Sequence, residues 1–282
     1  MLKKADLKRP HVLIFTDLDG TLLDHHSYSA DPAAGLIQNL HSNFPIQVIP
    51  VTSKTRAELE NMEGLSIFQR APIIVENGSV LSNLKPLICG HTPSRNRLVL
   101  GMDYHQIIEK IAALPPAIRG HIRGFHDMSA EDVARETGLP LDVAVLAKQR
   151  EATEPFLWDG SDQIFAKLST IMADAGIVIQ RGGRFFHFTG KASKVAAVKR
   201  LVKTYIDQGA PKSLATMALG DGPNDRDMIE AVDHGVIMPN PDGISIISDK
   251  DNVRMAPHPG PKGWVASVSE ILDELGFNAA KI

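Results

Sequence analysis

VLIFTDLDGT, at residues 12–21, joins a short apolar run to two closely spaced carboxylates. Val12–Phe15 has the β-branched and apolar character of a buried strand. Asp17 and Asp19 follow it, and residues two apart in an extended segment point the same way. Gly20 then allows the chain to turn away through a conformation that other residues disfavour. The stretch predicts a strand that delivers both carboxylates to one site, with an ordinary acidic turn as the alternative.

The next 60 residues continue as alternating strands and helices. The pattern predicts a helix capped by Asp31 and running from Pro32 to about His41, a strand at 46–51, a helix opened by the capping box of Thr55 and Glu58, a strand at 73–75, and a tight turn at Asn77-Gly78. Strands separated by helices indicate a parallel sheet covered on both faces.

The end of the chain repeats this alternation, whereas the middle does not. Residues 192–206 have the helical period, 214–219 and 236–238 read as strands, and 226–232 reads as a helix. The middle, 87–187, has clustered Pro and Gly, helices predicted near 104–114 and 130–136, and strand-like pieces near Leu98, Phe156, Ile177 and Phe185. We therefore predict an α/β fold: a doubly wound parallel-sheet core made from residues 1–86 and 188–282, with an inserted α+β cap domain at 87–187.

Composition narrows the possible function classes. The 282 residues carry a net charge of only −3, so no polycationic surface for nucleic acid or anionic lipid is expected. The single cysteine, Cys89, excludes disulfides within the chain and cysteine-based metal sites, and is most simply a buried hydrophobe. The apolar run at 12–15 is too short for a signal peptide, and no window approaches a membrane span. The sequence predicts a soluble, cytoplasmic protein.

A second acidic motif, LGDGPND at residues 219–225, follows another buried-type strand. In a parallel sheet, ligands bind at the carboxyl ends of strands, so Asp221 and Asp225 are expected beside Asp17 and Asp19. Converging carboxylates repel one another unless a cation is present, and Mg²⁺ accepts one or two carboxylates together with waters and a substrate phosphate. Taken alone, the motif could be a Gly-rich turn with two surface acids.

DLDGT and GDGPND together resemble the phosphatase branch of the haloacid dehalogenase (HAD) superfamily. The TSKT segment at 52–55 is similar to the hydroxyl-bearing motif of that superfamily, and TGKASK at 189–194 is similar to its lysine motif. More narrowly, SKTRAE at 53–58, ENG at 76–78, RFFHF at 184–188 and GPKGW at 260–264 resemble the family of mannosyl-3-phosphoglycerate phosphatases. The resemblance covers nearly the whole chain and is weakest in the cap.

The resemblance implies a role for each motif residue. Asp17 would be the nucleophile, Asp19 the general acid and base, and Lys194 the cation that neutralises phosphate, with Lys191 as the alternative. Ser53 would bind a phosphoryl oxygen, with Thr52 as the alternative. The implied substrate-binding set is Thr21, Ser53, Lys54, Thr55, Arg184 and Asn224. Lys54, Arg56 or Arg184 would hold a second anionic group, the substrate carboxylate, and Arg184 is favoured because its planar guanidinium suits a carboxylate. The implied Mg²⁺ ligands are Asp17, the Asp19 backbone carbonyl and Asp221, with Asp225 orienting the metal's surroundings.

The implied reaction is Mg²⁺-dependent hydrolysis of a small phosphorylated glycoside, mannosyl-3-phosphoglycerate, through an aspartyl-phosphate. The alternatives are a phosphatase for glucosyl-3-phosphoglycerate or sucrose phosphate, a phosphotransferase similar to phosphomannomutase, and a non-catalytic phosphometabolite-binding protein. His25 and His26 are interpreted as solvated loop residues, and Trp264 as a packing residue.

Overall fold

A computed structural model describes residues 10–62, 64–69, 71–84, 96–181, 184–209, 213–241, 243 and 246–278; Cys89 lies outside them. The strands are β1 His11–Thr16, β2 Ile46–Pro50, β3 Ile73–Val75, β4 Val80–Ser82, β5 Arg97–Val99, β6 Ile122–Gly124, β7 Thr153–Trp158, β8 Val178–Arg181, β9 Phe186–Thr189, β10 Leu214–Gly220, β11 His234–Ile237 and β12 Val253–Met255. The α-helices are α1 Ala33–Asn43, α2 Arg56–Asn61, α3 Tyr104–Ala112, α4 Pro116–Arg119, α5 Ala130–Thr137, α6 Leu141–Ala147, α7 Asp162–Asp174, α8 Lys194–Asp207, α9 Arg226–Glu230 and α10 Gly260–Glu274.

The core is a parallel sheet built from both ends of the chain, in the order β12-β11-β10-β1-β2. Successive residues of β1 point to opposite faces, so Val12 and Ile14 pack in one apolar cluster with α1 and α10. Leu13 and Phe15 pack in a second cluster with α8 and α9. Both faces are therefore covered by helices, which confirms the predicted α/β fold with a doubly wound core.

A small antiparallel sheet, β3-β4-β5, extends this core beside β2. It joins the main sheet through a parallel bridge between Val51 and Ile74. The predicted turn at Asn77-Gly78 connects β3 to β4, and both residues have positive φ, 55° and 90°. Leu98 lies in β5 and pairs with Leu81 of β4, so this strand belongs with the core hairpin rather than with the cap sheet.

The cap is a four-stranded antiparallel sheet in the order β6-β7-β9-β8. One face packs on α3, α4 and α7, where Phe156 and Phe188 stack with ring centroids 4.0 Å apart. The other face is partly covered by α5 and α6, which pack on Leu157 and Phe185. The domain bounds of 87 and 187 stay a prediction; β5 lies ten residues inside the predicted cap although it pairs with the core hairpin, and β9 crosses residue 187.

Gly190 allows the chain segments that join core and cap to lie against each other. A Cβ built on Gly190 would lie 2.3 Å from the backbone nitrogen of Met102 and 2.7 Å from the carbonyl carbon of Gly101. No side chain fits at that distance, so only glycine at 190 permits this backbone contact. Thr189 Oγ1, one residue earlier, lies 3.0 Å from Ser79 Oγ of the core hairpin.

Some local predictions differ from the structure. Asp31 does not cap α1: the helix begins at Ala33, Pro32 occupies the cap position, and no side chain bonds the first amides. Pro32 has φ −92° and ψ 6°, outside the helical range, so the helix starts one residue later than predicted and Asp31 lies before the cap position. The capping box of Thr55 and Glu58 is confirmed at the start of α2. None of the helices in the described ranges is both long and apolar enough to span a lipid bilayer.

Candidate active site

The two acidic motifs meet at the carboxyl edge of the core sheet because β1 and β10 are parallel neighbours in register. Thr16 at the end of β1 pairs with Leu219 near the end of β10. Asp17 and Asp221 therefore leave adjacent strands at the same level, and both side chains are buried. Asp225 lies four residues later, at the start of α9, and is also buried. One carboxylate oxygen from each of these three residues lies within 4.8 Å of those from the other two.

Lys194 lies between two of these carboxylates. It is the first residue of α8, whose N-cap is the Ser193 hydroxyl, and its Nζ lies 2.6 Å from Asp17 Oδ1 and 2.6 Å from Asp225 Oδ1. Lys191, the alternative from sequence, is exposed on the preceding loop. The structure thus brings Lys194, and not Lys191, to the three carboxylates. We call Asp17, Asp221, Asp225 and Lys194 the acidic centre.

Burial and mutual repulsion set the electrostatics of the acidic centre. Burial raises the pKa of Asp17 well above its ordinary range, while the Lys194 ammonium opposes that rise. Burial, with repulsion from Asp225, raises the pKa of Asp221 to about 6. Burial alone would lower the pKa of Lys194, but the carboxylates of Asp17 and Asp225 raise it overall. One ammonium leaves three buried carboxylates undercompensated, so a further positive charge would stabilise the ionised cluster.

The donors of the acidic centre fit a hard divalent cation such as Mg²⁺. Asp221 is oriented by Thr21 Oγ1 at 3.3 Å from its Oδ1 and by Asn240 Nδ2 at 2.8 Å from its Oδ2. A Cβ on Gly20 would lie 2.7 Å from Asp221 Oδ2, so glycine there keeps the carboxylate in place. Asp17 and Asp221 would hold the cation as oxygen ligands. When bound, such a cation would neutralise charge on a phosphoryl group.

Asp225 differs from the other two carboxylates in its partners. Its Oδ1 accepts from Lys194 and its Oδ2 accepts the Gly222 amide at 3.1 Å. Both oxygens of Asp225 are thus engaged, as are those of Asp221, and its role of orienting the surroundings of a metal stays a prediction.

Asp19 lies at the open side of the acidic centre and pairs with Lys54. The distance from Lys54 Nζ to Asp19 Oδ2 is 2.8 Å, and about two-fifths of the Asp19 side chain is exposed. Its other oxygen, Oδ1, is buried and has no hydrogen-bond partner within the described ranges. The Lys54 ammonium also lies 5.8 Å from the ring centroid of Tyr28. Asp19 is thus partly exposed, with its oxygen Oδ2 bonded to Lys54 and its unpartnered oxygen Oδ1 buried.

In the TSKT segment at 52–55, which follows β2, only some of the hydroxyl groups are available to a ligand. Thr52 is buried, and its Oγ1 accepts the Lys54 amide at 3.2 Å, whereas Ser53 is only half-buried. Thr55, expected to bind substrate, is fully buried: its hydroxyl accepts the Glu58 amide and donates to the Leu146 carbonyl. That expectation is wrong for Thr55, because helix capping and the contact with α6 occupy its hydroxyl.

Three other residues expected to bind substrate lie elsewhere or bond to protein groups. Thr21 is fully buried and bonds Asp221, so it supports a carboxylate rather than a substrate. Asn224 is exposed beside the acidic centre, and its Nδ2 lies 3.4 Å from Asn77 Oδ1. Arg184 is exposed on the cap and donates to the carbonyl of Glu136 at the end of α5. The structure does not bring Arg184 to the acidic centre, because α5 holds its guanidinium.

A buried network near the site was not predicted from the sequence. The Glu76 side chain is fully buried and accepts the amides of Glu151 and Ala152, at 2.7 and 3.0 Å, and the Thr153 hydroxyl at 2.7 Å. Arg150 Nε lies 3.7 Å from Glu76, and Arg150 Nη2 donates to the Ser53 carbonyl at 3.1 Å. ENG at 76–78 was visible as a motif, but nothing in the sequence paired it with residues 150–153.

The remaining candidates have structural or surface positions. Trp264 is fully buried, and its Nε1 donates to Thr16 Oγ1 at 3.0 Å, which confirms a packing role. His25 and His26 lie in an exposed loop. Arg56 pairs with Glu60 and Glu151 at the boundary of core and cap.

The chain is similar to known proteins of one family of hydrolases. The family model for haloacid dehalogenase-like hydrolases matches residues 159–244. The chain is 34% identical over 269 residues to a glucosyl-3-phosphoglycerate/mannosyl-3-phosphoglycerate phosphatase from Persephonella marina, covering 94% of this chain and 98% of the relative.

Solved structures share the fold. A phosphatase of the haloalkanoate (HAD) superfamily from Bacteroides thetaiotaomicron aligns with a TM-score of 0.64 and 16% identity, over 98% of both chains. A sugar phosphatase of HAD subclass IIB aligns with a TM-score of 0.59 and 15% identity, over 94% of this chain and 99% of the other. At these identities the likeness shows the fold alone.

Proposed function

Because this chain belongs to the haloacid dehalogenase-like hydrolases and is a phosphomonoester hydrolase, we propose that its substrates are glycosyl-3-phosphoglycerates, with mannosyl-3-phosphoglycerate the first expected. The observation that carries the substrate class is the 34% identity, over 94% of the chain, to a relative named for these two phosphates. The acidic centre supports the chemistry, since it pairs a buried carboxylate with an ammonium and leaves a second carboxylate at the open side.

In the first step, an oxygen of Asp17 forms a bond to phosphorus while the ester bond to the leaving alcohol breaks. Lys194, held 2.6 Å from Asp17 Oδ1, orients the nucleophile and offsets the negative charge that gathers around phosphorus. Asp19 donates a proton to the departing alkoxide, so that the glycoside leaves as a neutral alcohol. The product of this step is a phosphoryl group on Asp17.

In the second step, Asp19 accepts a proton from a water molecule as the water oxygen attacks phosphorus. The bond between phosphorus and Asp17 breaks, which returns the Asp17 carboxylate and releases inorganic phosphate. Ser53, half-buried beside Asp19's partner Lys54, is the hydroxyl that would bind a phosphoryl oxygen. Asp17 and Asp221 would hold Mg²⁺.

The substrate carries a carboxylate as well as a phosphate, and Lys54 is the cation that we assign to it. Its ammonium already bonds a carboxylate, that of Asp19, at 2.8 Å, and about 15% of its side chain is exposed. A substrate carboxylate arriving beside Asp19 would compete for the same ammonium.

Phosphate release from a panel of phosphate esters tests the proposal. Mannosyl- and glucosyl-3-phosphoglycerate should be hydrolysed with a kcat/KM at least about tenfold above that of sucrose phosphate and of p-nitrophenyl phosphate, in Mg²⁺ and not in chelator. Lys54→Ala should reduce the activity on the glycosyl-phosphoglycerates more than that on p-nitrophenyl phosphate, which has no carboxylate. A preference for sucrose phosphate would contradict the substrate class while leaving the phosphatase chemistry intact.

The same panel separates the other two readings of the site. A phosphotransferase would move phosphate between sugar positions without releasing it, so a hexose 1-phosphate would give a sugar isomer rather than free phosphate. A binding protein would release no phosphate from any ester, although nothing in binding alone requires an acid at Asp19.

A further inference from the structure

His187, in the RFFHF run at 184–188, lies on the side of the cap sheet that faces the core. Its neighbours in β9, Phe186 and Phe188, pack in the apolar cluster under α3, α4 and α7. Side chains alternate along a strand, so His187 points to the opposite face. It is directly paired there with Pro155 of β7 and Gln180 of β8.

Contacts from this face reach the core at three places around His187. Thr153 Oγ1 donates to Glu76, Thr189 Oγ1 lies 3.0 Å from Ser79 Oγ, and Gln180 Nε2 donates to the Ala192 carbonyl at 3.3 Å. We call Thr153, Gln180, His187 and Thr189 the cap face. Three members bond to the core, and they surround the fourth.

The cap face lies over the phosphate-binding part of the site. On one side of His187, Arg150 donates to the Ser53 carbonyl at 3.1 Å. On the other side, Ala192 is two residues before Lys194, which bonds Asp17. Because Ser53 and Lys194 both serve the phosphoryl group in the proposed reaction, His187 lies between the two segments that carry them, on the side of the cap sheet where the rest of the substrate is expected.

The imidazole of His187 has an unused hydrogen-bonding atom. Its Nδ1 is buried and has no partner within the described ranges, and a buried polar atom without a partner costs free energy. Burial, aided by the positive charge of Arg150, lowers the pKa of His187 to about 3. The ring is therefore neutral at pH 7, with one donor and one acceptor nitrogen, which suits a hydroxyl group better than an anion.

We propose that His187 Nδ1 hydrogen-bonds a hydroxyl group of the alcohol that leaves from phosphate, which makes His187 a specificity-determining residue. This inference rests on the proposed function only for the identity of that alcohol, a glycoside of glycerate. It assigns the recognition of hydroxyl groups to the cap face and the recognition of anions to Ser53, Lys54 and Lys194 of the core.

The test compares His187→Ala, His187→Asn and the exposed control His105→Ala on α3 of the same cap. Asparagine places a polar atom close to the position of Nδ1, whereas alanine removes it. For mannosyl-3-phosphoglycerate, His187→Ala should lower kcat/KM about tenfold more than it does for p-nitrophenyl phosphate, as expected for one lost hydrogen bond to a substrate hydroxyl. His187→Asn should recover most of that difference, and His105→Ala should match the wild type. Thermal melts of each variant show whether the fold is kept.

Equal losses on both substrates, or no loss on either, would overturn the proposal for His187. So would failure of asparagine to improve on alanine while both variants melt as the wild type does. If the wild type prefers another polyhydroxylated phosphate to both glycosyl-phosphoglycerates, the proposed substrate class fails, and the same variants compared on that ester still decide the role of His187.

Discussion

The acidic centre and the cap face, an acidic wall on the core and a neutral wall on the cap, are held together by different forces. In the acidic centre every carboxylate belongs to a charged network: Lys194 alone bonds two of them at 2.6 Å. The cap face is neutral and bonds to the core through hydroxyl and amide groups. Buried charges are costly to separate, whereas neutral hydrogen bonds contribute only about 1 kcal/mol each. The comparison shows that charge holds the acidic centre together, whereas neutral groups make the contacts of the cap face with the core, apart from the bond between Thr153 and the Glu76 carboxylate.

The largest expected effect follows from removing the nucleophile. Asp17→Asn should reduce phosphate release by about 10⁴-fold or more on every ester, because a neutral amide does not attack phosphorus. The variant should melt within a few degrees of the wild type, since asparagine fills the same volume and relieves a buried charge. Retention of more than a few per cent activity in a clean preparation would show that Asp17 is not the nucleophile.

Metal removal should affect the acidic centre. Exhaustive chelation is expected to abolish turnover, and added Mg²⁺ should raise the melting temperature, by an amount equivalent to about 2.7 kcal/mol at a hundred times its Kd. Asp221→Asn should lose most of this shift, whereas substitution of the exposed Asp207 on α8 should keep it. Full activity in chelator would contradict the metal assignment.

Glu76 connects the two walls, and its loss should destabilise the protein. Glu76→Ala leaves Arg150 buried without its carboxylate and removes the acceptor of two amides and a hydroxyl. The free energy of unfolding in urea should fall by about 3–5 kcal/mol. The matched control Glu60→Ala, which breaks an exposed pair with Arg56, should change it by less than about 0.5 kcal/mol. Similar values for the two variants would mean that Glu76 does not stabilise the contact between core and cap.

A smaller effect is expected inside the cap, from Glu154 on β7. Burial raises the pKa of its carboxyl from 4.5 to about 7, so between these pH values the folded protein keeps a proton that the unfolded chain has lost. Glu154 therefore stabilises the fold below pH 4.5, and this contribution is lost as the pH rises through 7.

Glu154→Gln imitates the protonated form at every pH. Relative to the wild type, its free energy of unfolding should rise by about 3 kcal/mol between pH 4.5 and 8. The matched control Glu109→Gln, at an exposed position on α3, should show no such rise in the free energy of unfolding relative to the wild type. A constant difference between Glu154→Gln and the wild type across this range would contradict the raised pKa.

The smallest effect is expected for Arg184, which lies on the cap but outside the cap face. Because its guanidinium bonds the Glu136 carbonyl, Arg184→Ala should change kcat/KM for a glycosyl-phosphoglycerate by less than about twofold. A loss of kcat/KM that is large on this substrate and small on p-nitrophenyl phosphate would show that Arg184 binds the substrate after all.

The sequence predicted the acidic wall far better than the neutral one. Asp17, Asp221 and Lys194 lie directly at the ends of strands or the start of a helix, and the parallel order of β1 and β10 then brings them together. A carboxylate directly after a strand can thus be recognised in the local sequence, and the pairing of the strands then decides which carboxylates meet. Thr55 was misassigned because its hydroxyl type fits both a phosphate and a helix cap, and the second use prevails in the fold.

The cap face could not be predicted because its members come from strands whose register no local pattern fixes. His187 meets Gln180 and Pro155 only through the order β7-β9-β8. Glu76 and Arg150 are likewise far apart in the chain, and each alone resembles a surface charge. Helix α7 could have been predicted, because apolar residues recur there every four positions, at Ile164, Leu168 and Met172.

The packed glycines at the two crossings between core and cap have a consequence for how such enzymes diversify. Since Gly101 and Gly190 lie back to back, the cap enters and leaves the core at one point, and a recombination event needs only two adjacent joints to exchange it whole. A chimera cut at these glycines should keep the acidic centre and carry a different cap. The new cap would still have to place two backbone amides against the Glu76 carboxylate, as Glu151 and Ala152 do here. Any cap without such amides would leave this buried carboxylate without its hydrogen bonds.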